Sequence, residues 1–239
     1  GVHLDWEPSS DGVIEAASWD LHPARITISP LDRLEKRGDW GDYLRGVIGE
    51  LRTRIALHVG WHGRIRGEFP SGGLSSGAAV QIAYLLATLT ANRTTMTRQD
   101  AAALVVAAER NFVGVQVGWL DPMTILFADG SRLLHIDYRT MAKSYCAWPD
   151  AHALPRLALI YSGIERRLHD SPYSLRVAEC REAAIRLDRT ANSLAEVAPE
   201  HRQPDRLPDP LRRRAKHVFD EIDRVHAGMA LVRGQRVPL

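Results

Sequence analysis

The stretch Phe69–Ala79, F-P-S-G-G-L-S-S-G-A-A, constrains the fold more than any other part of the chain. Glycine adopts positive φ readily and lets a ligand approach the main chain closely. The residues that follow, Ala78–Ala91, repeat apolar side chains at the i, i+3, i+4 and i+7 spacing of a helix with one face on a core. Such a loop gathers unpaired N–H groups at the positive end of the helix and suits phosphate. A plain strand-to-helix turn with a serine cap fits these residues equally well.

Composition limits the class of protein. The 239 residues, 45% hydrophobic and 25% charged, are enough for one large core or two modest ones. A net charge of +2 predicts no nucleic-acid partner, and no apolar run is long enough for a membrane span. The two cysteines, Cys146 and Cys180, make a disulfide framework improbable and fit a reducing compartment. We therefore expect a cytoplasmic protein without a nucleic-acid or membrane partner.

The segment Gly73–Ala79, G-L-S-S-G-A-A, resembles the phosphate-binding loop of the GHMP kinases (galactose, homoserine, mevalonate and phosphomevalonate kinases). Within that superfamily the similarity is to the galactokinase branch, and it extends from G-V-H-L-D-W at Gly1–Trp6 to L-R-R-R-A-K-H at Leu211–His217. The resemblance implies an α+β, two-domain GHMP kinase fold. Residues 1–150 would form a ribosomal protein S5 domain 2-like N-terminal domain, and residues 151–239 would begin the C-terminal GHMP domain.

The same resemblance implies that the chain is a fragment. We expect it to lack the family's first strand, which carries an arginine thought to stabilise the transferring phosphate, and the glycine-rich motif near the C-terminus. It also implies ATP and Mg²⁺ as cofactors, with the phosphates held by Gly72, Gly73, Leu74, Ser75, Ser76, Gly77 and Ala78. The family usually has G-L-S-S-S-A-A, with its third serine near Mg²⁺. In this chain Gly77 occupies the position of that third serine, so Ser76 or a water would take the serine's place near Mg²⁺.

Glu109 lies near the end of a second predicted helix, which begins at Arg98 after a Thr97 cap and ends at about Phe112. The helix dipole disfavours a carboxylate there, which favours a cation partner, although a solvated surface glutamate remains an alternative. The family's A-E-x-x-F-x-G motif resembles this segment and implies that Glu109 binds Mg²⁺.

Asp121 precedes Pro122, which suits the first turn of a helix, so the residues alone predict a helix N-cap. The segment from Gly114 resembles the family's G-x-x-x-G-x-x-D-Q motif, with Pro122 in place of glutamine. The resemblance implies that Asp121 is the catalytic aspartate and that Gly118 and Asp121 contact the sugar.

Two further motifs imply sugar contacts. The first, G-V-H-L-D-W, resembles the family's G-E-H-x-D-Y and assigns Val2, His3 and Asp5 to the sugar site, with valine in place of a glutamate that reaches the C6 hydroxyl in galactokinases. The second, S-P-Y-S-L-R-V-A-E-C-R-E-A-A, implies a sugar contact by Tyr173. A turn-capping role for Asp5 and core packing for Tyr173 are the competing interpretations.

Together these motifs imply an ATP-dependent sugar 1-kinase acting at C1 of galacturonate or galactose. A galacturonokinase-like protein fits better, because of Val2, the L-R-V-x-E-C-x-E-A-A helix and a glycine loop one residue shorter. One alternative is a non-catalytic sugar- or nucleotide-binding relative. Another is a serine hydrolase. Gly73–Gly77 satisfies the G-x-S-x-G motif of the α/β-hydrolases, and Ser75, Asp121 and His217 follow one another in the chain order, serine, acid, histidine, that those enzymes require.

The remaining pattern predicts the other elements. Strands are expected at Arg25–Ser29, Ile55–Val59, Arg64–Phe69, Leu133–Tyr138 and Leu157–Tyr161. Helices are expected after Asp39, at Tyr173–Leu187 and at Leu211–Arg233, with a linker at Ala191–Asp209. Trp40 and Tyr43 are interpreted as packing residues.

Overall fold

The computed structural model describes residues 1–18, 21–29, 31–68, 74–147, 158–160 and 172–234. These residues form two compact units, the first ending at Phe127 and the second containing the described residues that follow. The second unit therefore includes residues 132–147, which the sequence interpretation grouped with the first domain. None of the helices in these ranges is long and apolar enough to cross a bilayer.

A four-stranded sheet forms one side of the first unit. Its strands are β1 (Val2–Ser9), β2 (Ile14–Ala17), β3 (Arg25–Ile28) and β4 (Gly60–Gly67). The spatial order is β1-β4-β2-β3, and β2 pairs with β4 in parallel while the other two pairings are antiparallel. The β3 strand confirms the prediction for residues 25–29, whereas β1 and β2 were not predicted.

Side chains alternate between the two faces of β1, as in any strand. Val2, Leu4 and Trp6 pack against the core of the first unit, where Trp61 and Ile65 of β4 are buried. The intervening His3 and Asp5 therefore belong to the opposite face of the sheet.

Helices cover the core-facing side of this sheet. They are α1 (Gly41–Arg52), α2 (Ser76–Ala91), α3 (Arg98–Ala107), a π-helix (Ala108–Val113) and α4 (Leu120–Phe127). The prediction of a helix at residues 78–91 is confirmed, and α2 begins two residues earlier. Within the core, Tyr84 of α2 stacks on Trp61 with 5.8 Å between ring centroids, and Trp61 Nε1 donates a hydrogen bond to Thr88 Oγ1.

The predicted strand at Ile55–Val59 is wrong, because its backbone bonds to a side chain instead of a neighbouring strand. Asn92, which follows α2, accepts hydrogen bonds at Oδ1 from the N–H groups of His58 and Val59, at 2.8 and 3.0 Å. Its Nδ2 donates to the carbonyl of Val59. The strand starts only at Gly60.

The second unit contains a hairpin and a helical core. The hairpin is β5 (Arg132–Asp137) and β6 (Ala142–Ala147), and the helices are α5 (Tyr173–Leu187) and α6 (Leu211–Val232). These confirm the predictions for residues 133–138, 173–187 and 211–233. Of the strand predicted at 157–161, residues 158–160 are described and form no strand, while 157 and 161 lie outside the described residues.

The linker predicted at Ala191–Asp209 is wrong. Three short 3₁₀ turns occupy this stretch, at Leu194–Glu196, Pro199–His201 and Pro204–Arg206. Leu194, Val197 and Leu207 are buried in one cluster with residues of α5 and α6. Their apolar side chains make the segment part of the core in spite of its prolines.

Candidate functional site

Within the described part of the chain, no side chain caps the N–H groups in the first turn of α2. Ser75 precedes the helix in the left-handed conformation, with φ 57°, and its side chain accepts no cap hydrogen bond. The intrahelical ladder begins when the N–H of Ala79 donates to the carbonyl of Ser75. The N–H groups of the preceding residues have no intrahelical acceptor, because the first turn of a helix offers none.

Only part of the predicted phosphate-binding loop lies in the described part of the chain. Gly72 and Gly73 lie outside it. Leu74 and Ser75 are exposed before α2, Ser76 and Gly77 are half-buried in its first turn, and Ala78 is buried.

Glu109 lies on the π-helix and is only 4% exposed. Its Oε2 accepts a hydrogen bond of 2.9 Å from Nε2 of Gln81 on α2. The same Nε2 donates to the carbonyl of Gly77 at 3.1 Å. Gln81 therefore joins the first turn of α2 to the predicted metal ligand. The surface-glutamate alternative is wrong, since the carboxylate is buried.

Burial raises the pKa of Glu109, and the nearby Asp121 carboxylate raises it further, while the hydrogen bond from Gln81 acts in the opposite direction. Tyr43 of α1 also belongs to this cluster, because burial, then Glu109, then Asp42 raise the pKa of its phenol. A buried carboxylate with a carboxylate neighbour is costly unless a cation neutralises it.

Asp121 is exposed in the first turn of α4. The helix begins at Leu120, which puts its N-cap at Trp119, so the predicted cap position is wrong by two residues: Asp121 is already the second residue of the helix. Arg110, which follows Glu109, donates from Nε and Nη2 to the carbonyl of Val117 in the segment before α4. This contact fixes the segment that contains Gly118, an exposed residue, and so helps to hold Asp121 near Glu109.

The residues predicted to bind sugar are distributed over both units. On β1, His3 Nε2 lies 2.7 Å from Glu68 Oε1, Asp5 is exposed and pairs in register with Arg64 of β4, and Val2 packs against the core. Tyr173 is the first residue of α5 in the second unit. Their sugar contacts remain predictions.

The described residues fit a Mg²⁺ ion that is shared with phosphates. They contain no group of three or more histidine, cysteine or acidic side chains able to hold a metal alone. Mg²⁺ in phosphoryl-transfer sites is usually held by one or two carboxylates and the substrate's phosphates. Glu109 supplies one buried carboxylate, Ser76 supplies a hydroxyl in the first turn of α2, and Gln81 Oε1 is buried without a hydrogen-bond partner in the described structure.

Sequence reasoning missed Gln81 and treated Tyr43 as packing. A signal for Gln81 was present, since it is a polar residue between the apolar positions of α2 and is completely buried. A polar side chain buried in an apolar face needs a partner, and Glu109 is that partner.

Comparison with known proteins identifies the class. Residues 42–129, which include α1, α2, Glu109 and Asp121, match the GHMP kinases N terminal domain. The chain belongs to the GHMP kinase superfamily, and its fold is the α+β fold of that superfamily.

The similar curated proteins are sugar kinases. The chain is 32% identical over 236 residues to a galactokinase of Roseiflexus sp., covering 93% of this chain and 58% of the relative. It is 33% identical over 207 residues to a galacturonokinase of Arabidopsis thaliana, covering 81% of this chain and 49% of the relative. The chain thus spans about half the length of these relatives.

One solved structure has the same fold over nearly all of the chain. Lactococcus lactis galactokinase, in complex with galactose, aligns with a TM-score of 0.82 at 24% identity, covering 98% of this chain and 62% of that one. Because residues 42–129 match a kinase domain, the hydrolase alternative with Ser75, Asp121 and His217 has no further support.

Proposed function

We propose that the full-length protein is an ATP-dependent kinase that phosphorylates the anomeric hydroxyl of galacturonate or galactose. One observation carries the proposal. Gln81 bonds both the carbonyl of Gly77 and the buried carboxylate of Glu109, so a candidate metal ligand lies beside the helix start that suits phosphate. Asp121 is near enough to Glu109 to raise its pKa.

In this proposal the open N–H groups at the start of α2 bind the nucleotide's phosphates, and Glu109 and Ser76 hold Mg²⁺. The ion, when bound, neutralises charge on the phosphates. Asp121 orients the anomeric hydroxyl and accepts its proton as the hydroxyl attacks in line with the γ-phosphate. Positioning and electrostatics supply most of the rate in such a transfer, so the fixed position of Glu109 contributes alongside the base.

The choice between galacturonate and galactose depends on Val2. A glutamate at this position would place a carboxylate beside C6 and accept a hydrogen bond from galactose's hydroxyl. Against the carboxylate of galacturonate, a like charge at about 4 Å costs roughly 4 kcal/mol at an effective dielectric of about 20. Val2 carries no charge, so it removes this repulsion and also the partner of galactose's hydroxyl, and both effects favour galacturonate.

Three departures from the family pattern, at Val2, Gly77 and Pro122, favour the non-catalytic alternative, and one of them is weakened by the position of Pro122 in its helix. Pro122 is the third residue of α4, where its missing N–H costs no intrahelical bond. It therefore leaves the first turn intact, with Asp121 on it. Gly77 removes a hydroxyl from the first turn of α2, and Tyr43 packs over that position.

The test is a product assay on the full-length protein with ATP, Mg²⁺ and either galacturonate or galactose. We expect ³¹P NMR to detect a sugar 1-phosphate, with the larger yield from galacturonate. Nucleotide binding without any phosphorylated sugar, from either substrate, would favour the non-catalytic relative and overturn the proposal.

A further inference from the structure

The ring of Tyr43 covers the first turn of α2. Tyr43 is the third residue of α1, and a Cβ built on Gly77 would lie 3.3 Å from its Cε1 and 3.5 Å from both Cζ and Oη. Such a contact at 3.3 Å is tighter than ordinary van der Waals packing. The phenol therefore fills the space that a side chain at residue 77 would occupy.

The phenol of Tyr43 is also available as a donor. Tyr43 is half-buried, and its hydroxyl makes no hydrogen bond to any residue in the described ranges. Burial and the neighbouring carboxylates of Glu109 and Asp42 raise its pKa, so the group keeps its proton at neutral pH. A protonated phenol at this position can donate a hydrogen bond to an acceptor atom of a ligand.

The surrounding groups favour an anionic ligand as that acceptor. The first-turn N–H groups of α2 are donors that no side chain of the described residues caps, and they lie at the positive end of the helix. In the same cluster, the buried Oε1 of Gln81 is an acceptor without a hydrogen-bond partner in the described structure, and it suits the cation that accompanies such a ligand. A cluster with open donors around a half-buried phenol is incomplete without a ligand.

We propose that Tyr43 contacts the substrate: its hydroxyl donates a hydrogen bond to a phosphate oxygen of the nucleotide bound at the start of α2. In this chain the phenol supplies the hydroxyl that residue 77 lacks. The inference rests on the proposed kinase function, and it changes Tyr43 from a packing residue to a phosphate-binding one.

The direct test compares two ligands on the full-length protein and its Tyr43→Phe variant. One ligand is the Mg²⁺ complex of a non-hydrolysable ATP analogue, measured by calorimetry, and the other is adenosine, measured by ligand-observed NMR. We expect Tyr43→Phe to weaken binding of the analogue by about 10-fold or more, because a hydrogen bond to a charged group is lost. Binding of adenosine, which has no phosphate, should stay the same.

Tyr84→Phe is the matched control. Tyr84 lies on α2 itself, is completely buried and has a hydroxyl without a hydrogen-bond partner in the described structure. Removing that hydroxyl should leave the affinities for both ligands unchanged. An effect of Tyr84→Phe equal to that of Tyr43→Phe would mean that loss of any hydroxyl perturbs α2, and would overturn the proposal.

A second pair of variants separates the hydroxyl from packing. In the Tyr43→Phe background, Gly77→Ser should restore part of the affinity for the analogue, since the new hydroxyl replaces the lost one. In the wild-type background it should give no gain, because the Tyr43 hydroxyl already supplies the hydrogen bond. The ring carbons that lie 3.3 and 3.5 Å from the added Cβ remain in Tyr43→Phe, so the packing cost is the same in both backgrounds. If Gly77→Ser restores no affinity in the Tyr43→Phe background, the idea that one hydroxyl replaces the other is contradicted.

The outcomes distinguish this inference from the proposed function. A wild-type protein that binds no ATP analogue would refute the kinase itself and, with it, this inference. A wild-type protein that binds the analogue and phosphorylates sugar, with Tyr43→Phe binding equally well, would refute only the role of Tyr43. Equal weakening of adenosine and analogue would also refute it.

Discussion

Gln81 donates a hydrogen bond of 2.9 Å from Nε2 to Oε2 of Glu109, and both side chains are buried. The bond connects α2 with the π-helix, two elements that are separated in the chain by the whole of α3. It is the local donor that favours the charged form of Glu109 against burial and the neighbouring Asp121. The amide therefore keeps a carboxylate available beside the first turn of α2.

Gln81→Met should raise the pKa of Glu109 further, because the variant removes the donor that lowers it and leaves the burial unchanged. A ¹³C NMR titration of the Glu109 carboxyl group measures this directly. Gln203→Met, which changes an exposed glutamine of the second unit, is the control and should leave the Glu109 titration where it was. An unshifted titration in Gln81→Met would show that the amide does not stabilise the charged form.

The raised pKa of Glu109 also predicts how stability depends on pH. A carboxyl whose pKa is higher in the folded than in the unfolded protein destabilises the fold once pH exceeds the unfolded value, about 4.3. Without Mg²⁺, Glu109→Gln should therefore have a higher Tm than wild type at pH 8. The advantage should shrink as pH falls through the folded pKa and be smallest near pH 4. A Tm difference that is constant from pH 4 to 8 would contradict the burial cost.

The parts of the fold that could be predicted from residue patterns are those with a clear local periodicity. The helix predicted at residues 78–91 is confirmed as α2, because a long apolar repeat identifies a helix without help from distant residues. The bounds of α5 also coincide with the prediction, which rested on the resemblance to a helix of the family. Val2, Leu4 and Trp6 alternate with polar residues, so a strand signal for β1 was present but was interpreted only as a ligand motif. The wrong strand at 55–59 was unpredictable locally, since its bonds go to Asn92.

The sequence named residues of the candidate site but not the contacts between them. Family motifs pointed to Glu109 and Asp121, and the structure brings these two carboxylates close enough to interact. The supporting contacts of Gln81 and Tyr43 depend on how α1, α2 and the π-helix pack together. Tertiary packing of this kind leaves no short sequence motif.

A buried ion pair holds the start of α1, which carries Tyr43. Arg45 Nη1 lies 2.7 Å from carboxylate oxygens of both Asp42 and Asp39, and Asp42 also accepts hydrogen bonds from the N–H groups of Arg37 and Gly38. Side-chain exposure is 4% for Asp42 and 19% for Asp39.

Asp42→Ala should therefore lower the free energy of unfolding by about 3–5 kcal/mol, because it leaves a buried guanidinium with a lost partner. Asp39→Ala is the matched control and should cost less, since that carboxylate is more exposed. Urea denaturation of both variants measures the difference, and equal losses would contradict a special role for Asp42.

Val2→Glu should shift the sugar preference of the full-length protein towards galactose. The ratio of kcat/KM for galactose to that for galacturonate should rise on the order of 10-fold or more, given a repulsion of roughly 4 kcal/mol between the two carboxylates. Val2→Gln has nearly the same shape without the charge and should give a much smaller shift. A clear wild-type preference for galactose would overturn the assignment to galacturonate.

The most direct test of the central claim is the turnover of Asp121→Asn in the full-length protein. If Asp121 orients and deprotonates the anomeric hydroxyl, kcat should fall by roughly 10²–10⁴-fold. Affinity for the Mg²⁺ complex of a non-hydrolysable ATP analogue should barely change, because the carboxylate faces the sugar in this account. Near-normal kcat in Asp121→Asn would contradict the account, since Asp121 would then be only a first-turn residue of α4.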